Sequence, residues 1–223
     1  KEFPGVKIPS QLLFKVIREG AVKIDEYTAV DQGAGYINVL NSYEILKKYL
    51  KNNEISKFET YTVSSLAPNK PANKFRNLYI RDGSYLTGDE VFSYTVKRDN
   101  LVKSDKFYRV YNLKCDTDWL TLVQKKTYIR NNQTATVNVK IDKSKVKEPG
   151  MYTAKITAYR DDASKTPEFD MIATVVIPYE INLSNNYRMN WKDQTINQGM
   201  IKRYFVKVPA GQNSMKITLS RDA

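Results

Sequence analysis

No histidine occurs among the 223 residues, and only one cysteine, Cys115. The first absence excludes a Ser-His-Asp or Cys-His mechanism carried within this chain, and any histidine-ligated zinc. The second excludes an intramolecular disulfide and a cysteine-cluster metal site. No uninterrupted apolar run of about eighteen residues exists, so no membrane-spanning helix is expected. No charged-then-apolar leader opens the chain either. It starts at Lys1 and stops at Ala223. The expectation is therefore a piece of something longer, whose compartment a missing leader does not reveal.

What is present suffices for one or two folded domains. Hydrophobic residues make up 41% and charged ones 27%, enough for a core without disulfides or metals. The net charge is +12, but the lysines are scattered and alternate with apolar residues, as on solvated strand faces and protected edges. No aromatic ribonucleoprotein box accompanies them, so no nucleic-acid partner is expected.

The chain divides into four stretches. Residues 1–55 carry two helical patterns. Leu12, Leu13, Val16 and Ile17 follow Pro9-Ser10, with Ser10 as the expected cap and Gly20 as the stop. Val39, Tyr43, Leu46 and Leu50 form the expected buried stripe of a second helix, with Lys47, Lys48 and Lys51 near its C-terminal end. Residues 56–75, with Ser64, Ser65, Pro68, Asn69, Lys70, Pro71 and Asn73, read as a linker.

In residues 76–180 the period changes to two. Ala135, Val137, Val139 and Ile141 alternate with polar residues; so do Tyr152, Ala154, Ile156 and Ala158. Phe169, Met171, Ala173, Val175 and Ile177 make a third strand, and Phe92, Tyr94 and Val96 a fourth. Leu78 with Ile80, the Phe107 to Leu113 run, and Trp119 to Val123 add candidates. Turn signals lie between them at Asp82-Gly83, Asn131-Asn132, Glu148-Pro149-Gly150 and Thr166-Pro167. About seven such strands predict an antiparallel β-sandwich of fibronectin or immunoglobulin type. Residues 181–223 continue the pattern: Tyr204, Val206 and Val208, a turn at Pro209-Ala210-Gly211, then Met215, Ile217 and Leu219. They read as an extra hairpin or the start of a further β domain.

Candidate chemistry is sparse. Asp161-Asp162 and Asp116 with Asp118 are the closest acidic pairs. Calcium needs at least three converging carboxylates, so they read as turn formers. Lys143, Lys145 and Lys147 fall in an expected loop near acidic residues. Cys115 reads as a buried free thiol, with no histidine to activate it. Trp119 and Trp191 read as core plugs rather than sugar platforms. Asn132-Gln133-Thr134 and Asn182-Leu183-Ser184 fit the glycosylation pattern, which matters only in a secreted protein. Gln32-Gly33-Ala34-Gly35 lacks the strand and the further glycines of a phosphate cradle. Its glycines are expected to permit a close backbone approach before a helix. No catalytic, cofactor-binding or metal-ligating residue is assigned.

Together with its flanks, that string carries a resemblance. Ala29-Val30-Asp31-Gln32-Gly33-Ala34-Gly35-Tyr36-Ile37-Asn38-Val39, followed by Tyr43-Glu44-Ile45-Leu46, resembles the end of the catalytic domain of subtilisin-like serine peptidases, the large subtilases of tripeptidyl-peptidase II and pyrolysin type. Further strings follow in the family's order: Leu78-Tyr79-Ile80-Arg81-Asp82, Asp118-Trp119-Leu120, and Pro149-Gly150-Met151-Tyr152-Thr153-Ala154 with Tyr159-Arg160-Asp161. Phe169 with Val175-Val176-Ile177, and Ile201-Lys202-Arg203-Tyr204-Phe205-Val206-Lys207-Val208-Pro209, complete the series.

The resemblance implies a serine peptidase whose triad and oxyanion-hole asparagine lie outside this chain. The chain would then be a non-catalytic scaffold whose partner is the remainder of the catalytic domain, and peptide substrate would be met only through that parent. The helices would otherwise expose an apolar face, so the chain is expected either to self-associate through residues 10–50 or to be stable only as a nicked part of a bigger particle. The compartment would be cytoplasmic for a tripeptidyl-peptidase II-like parent and extracellular for a pyrolysin-like one. The alternatives are a stand-alone fibronectin-like or immunoglobulin-like module binding protein or carbohydrate, and a basic nucleic-acid-binding β protein. A plain adhesion module has no need of the helical first fifty residues.

Overall fold

The computed structural model describes residues 3–52, 54–68, 70–88, 90–100, 104–161 and 167–220. Three helices come first: α1 (Ser10–Gly20), α2 (Ala29–Gln32) and α3 (Val39–Lys51). Twelve strands follow: β1 (Tyr61–Ala67), β2 (Lys70–Phe75), β3 (Leu78–Ile80), β4 (Val91–Arg98), β5 (Tyr108–Cys115), β6 (Leu120–Leu122), β7 (Lys126–Arg130), β8 (Ala135–Ile141), β9 (Gly150–Arg160), β10 (Pro167–Ile177), β11 (Tyr179–Glu180) and β12 (Val206–Lys207). Among the described residues no helix is long and apolar enough to cross a membrane.

Ten strands form the expected β-sandwich. One sheet has the order β2-β1-β4-β8-β6, the other β3-β10-β9-β5-β7. All pairings within them are antiparallel except the edge pair β3 and β10. The period-two residues meet between the sheets. Tyr94, Val96, Val137, Val139, Ile156, Ala158, Met171, Ala173 and Val175 are completely buried. Each large apolar side chain so buried contributes about 1.5–3 kcal/mol. The Tyr94 hydroxyl, carried inward with its ring, is satisfied by donating to the Ile172 carbonyl at 2.7 Å. Burial pushes this phenol above its usual pKa.

Several expectations are corrected. The stretch expected as a linker contains β1 and β2; within β1, Val63 and Ser65 point into the sandwich. Polar Ser65 masks the alternation there, and its hydroxyl donates to the Ser93 carbonyl. Strand β7 is a further element the pattern missed. The cap of α1 is Pro9, not Ser10: the Pro9 carbonyl accepts from Leu12 and Leu13. Leu12 and Val16 are buried as expected, whereas Leu13 and Ile17 are exposed.

The buried stripe of α3 is Ser42 and Tyr49 flanked by Ile45 and Leu46, while Val39 and Tyr43 face outward and Leu50 is half-buried. The reason is a close helix crossing. A Cβ on Gly20 would lie 2.5–2.8 Å from the Oγ, N and Cα of Ser42, so the missing side chain lets α1 seat there and sets the rotation of α3. Past residue 180, Val206–Lys207 pairs in parallel with Tyr179–Glu180. Pro209-Ala210-Gly211 turns as expected, with the Gln212 amide donating to the Pro209 carbonyl. Met215, Ile217 and Leu219 form no strand and are exposed, because no neighbouring strand meets them among the described residues.

The seam between the helices and the sandwich as candidate functional site

The helices do not hang free. A small apolar cluster of Leu12, Val16 and Tyr49, with Ile8, Ile45, Leu46, Ile55 and Phe58, holds α1 to α3 and to the segment entering β1. The neighbouring face of α1 lies over the outward side chains of β9 and β10. There Lys15 Nζ donates to the Pro167 carbonyl at 2.5 Å and lies 2.7 Å from Glu19 Oε1. Arg18 reaches both oxygens of Asp170 at 3.1 Å. Arg76 and Lys155 approach the same carboxylate at 3.7 and 3.5 Å.

Deeper in the seam, Glu168 lies between Arg109 at 3.4 Å and Arg160 at 3.7 Å. Arg160 also pairs at 3.4 Å with Glu54, from the turn after α3. Arg109 reaches the Tyr61 hydroxyl at 3.3 Å, and this hydroxyl is 2.7 Å from that of Tyr111. The rings of Tyr61, Tyr111 and Phe169 pack 5.1–5.7 Å apart and tie the two sheets together beneath the seam. Where the chain crosses into β1, Glu59 and Arg98 form a buried pair with two 2.8 Å hydrogen bonds, and Arg98 lies 4.0 Å over the Phe107 ring.

A cavity of about 550 Å³ remains between α1, α2 and the strands, with Phe14, Phe58, Tyr61 and Phe169 in its walls. The cations at its rim are matched by Asp170 and Asp116. Glu19 differs from the other acids. Its side chain is 7% exposed, and burial pushes its carboxyl up to about 7 against the pull of Lys15. Burial likewise raises the phenols of Tyr49, Tyr61 and Tyr111 above their ordinary range. Chemically, the arrangement binds two parts of one chain together.

The QGAG string sits beside this seam. Thr28 and Asp31 close α2 with a reciprocal capping box, and Thr28 holds the Asp31 carboxyl below its ordinary value. The Gln32 amide ties down the preceding loop: Nε2 donates to the carbonyls of Ile24 and Tyr27, while Oε1 accepts from the Ile24 amide. Gly35, at φ +117°, allows the close approach to the Val22 carbonyl where Val22 and Tyr36 form a two-residue bridge. Arg203 pairs with Asp31 at 2.6 Å, so the C-terminal stretch also straps this loop.

The remaining candidates fall elsewhere. Asp161 accepts from Asn112 and Lys126; Asp162, with Thr166 and Asn69, lies outside the described residues. Asp116 accepts from the Lys155 amide, and Asp118 pairs with Lys145. Among the described residues no group of three metal-ligating side chains exists. Lys143 donates to the Ser84 carbonyl. Cys115 is half-buried rather than fully buried, 3.7 Å from the Thr117 hydroxyl, because it ends β5 at the margin of the core. Trp119 plugs the core edge-on to Tyr152, as expected. Trp191 does not: it packs outside the sandwich against Tyr179 and Tyr204, at 5.1 and 4.6 Å. The Asn182 side chain accepts from the amide and hydroxyl of Ser184. The seam itself was not anticipated.

No family model matches the sequence. It is 27% identical over 218 residues to pyrolysin of Pyrococcus furiosus, an alignment covering 93% of this chain and 15% of that protein. Among solved structures, tripeptidyl peptidase 2 superposes with a TM-score of 0.61 at 17% identity, covering 80% of this chain and 14% of that one. The chain thus spans a small part of the length of each, and the second likeness is one of fold.

Proposed function

We propose that this chain, a segment of a subtilisin-like peptidase of the pyrolysin and tripeptidyl-peptidase II type, is a non-catalytic scaffold that fixes a β-sandwich to the catalytic domain of its parent. The parent hydrolyses peptide bonds with residues that lie elsewhere. One observation carries the reading: the helical part is bolted to the sandwich on one side and, among the described residues, uncovered on the other. Tyr36, Ile37, Val39 and Leu40 are each more than 60% exposed. A two-sided connector has this design, with one face spent within the chain and an apolar face kept for a neighbour. The neighbour is the remainder of the catalytic domain.

The test pairs the 223-residue chain with its parent. The chain by itself should hydrolyse no peptide and take no label from a fluorophosphonate, while the parent does both. Labelling of the 223-mer would overturn the reading, since a chain without imidazole would then be running the reaction.

A further inference from the structure

We infer that Glu19 makes the seating of the helices on the sandwich proton-dependent: the seam is tight when this carboxyl is protonated and loosens when it ionises.

The geometry that supports this is a buried acid enclosed on several sides. Glu19 lies in the last turn of α1, one residue before the Gly20–Ser42 crossing, and lines the cavity between helix and strands. Neither oxygen accepts a well-aligned hydrogen bond among the described residues, although Lys15 Nζ stands 2.7 Å from Oε1. The charged groups facing it are Lys15 and Arg18 from α1 itself and Glu168 from β10. Tyr49 of α3 shares the enclosure and feels both acids. Behind Glu168 stand Arg109 of β5 and Arg160 of β9, the latter paired with Glu54.

The cations do not offset Glu19 in full. Lys15 is divided between Glu19 and the Pro167 and Glu168 carbonyls. Arg18 is committed to Asp170. Both arginines lie against Glu168, which is itself only 4% exposed. A second negative charge in this enclosure therefore meets desolvation and like-charge repulsion from Glu168.

The direction with pH follows from linkage. Seated, Glu19 keeps its proton up to about pH 7. Released into water, it returns to its ordinary value of 4.5. Between these limits the seated form holds the extra proton, so rising pH favours release. Below the lower limit both forms are protonated; above the upper one both are ionised, and the effect levels off.

The seam lies wholly within this chain, so the test does not depend on the peptidase reading. Amide exchange over Leu12–Gly20 of the 223-residue chain, normalised to the intrinsic rate, reads the opening constant. It should rise roughly 40-fold between pH 5 and 7 and then flatten. In Glu19→Gln the dependence should vanish. In Lys15→Met, which removes the cation that favours ionisation, the plateau should begin at higher pH. Equal slopes in the wild type and Glu19→Gln would overturn the inference. If Glu19→Gln fails to seat, carbon-detected NMR titration of Glu19 in the wild-type chain decides instead. A midpoint near 7 supports the inference, and one near 4.5 sinks it.

Discussion

The sandwich and the helical part differ in how far each satisfies itself. Across the sandwich, strands β4, β8, β9 and β10 each place at least two apolar side chains in complete burial. The helical part buries Leu12 completely and Val16 and Tyr49 nearly so, and leaves eleven large apolar side chains between Leu13 and Tyr43 exposed. A core closed on both sides folds for its own reasons. Two helices sharing a three-residue core depend on what lies against them. The seam of ion pairs makes the sandwich one of those supports.

The comparison predicts unequal damage from substitutions. The largest should come from the sandwich. Met171→Ala removes a fully buried side chain from β10, the strand that carries both the core and the seam residues Glu168 and Asp170. A loss of about 2–5 kcal/mol is expected in denaturant unfolding. Because α1 is anchored on β10, helical protection should fall together with the strands. Persistence of protected α1 amides in an unfolded sandwich would show the dependence to run the other way.

Gly20→Ala should act in one direction only. The added methyl would meet both backbone and side chain of Ser42. Separating α1 from α3 should cost about 1–3 kcal/mol of local stability. Exchange should accelerate across Ser10–Gly20 and Val39–Lys51, with Ala135–Ile141 and Pro167–Ile177 unchanged. Uniform acceleration through the sandwich would mean the two parts are one cooperative unit.

The same contrast explains what could be read without coordinates. Ala135, Val137, Val139 and Ile141 were legible because a strand with one wet face must alternate. Strand β7 was not, since it is an edge strand in which only Ile129 is buried. The face of α3 was misjudged because its apolar residues wrap more than one side; the choice among them was made by Gly20, a glycine on another helix. The seam was illegible for a different reason. Arg18 and Asp170 are separated by 152 residues, and Arg160 and Glu54 by 106. Periodicity reports which way a side chain points within its own element. It carries nothing about which distant charge will stand opposite.

The smallest effect on stability belongs to the outward face, and it is the most telling about use. Leu40 lies in the first turn of α3 and is 70% exposed, beside Val39, Ile37 and Tyr36. Nothing in the described chain covers it, so Leu40→Glu should alter unfolding by no more than about 0.5 kcal/mol. An acid in the first turn of a helix is, if anything, favoured by the dipole. The face it interrupts carries the exposed apolar side chains of Tyr36, Ile37, Val39 and Leu40, and exposed apolar groups of this kind associate when their intended neighbour is missing. Sedimentation should therefore show the 223-residue chain self-associating and the variant shifted towards monomer. If both sediment as monomers with their helices intact, the outward face is not sticky enough to be a docking surface. The helices would then have to be explained as a cap on the sandwich alone.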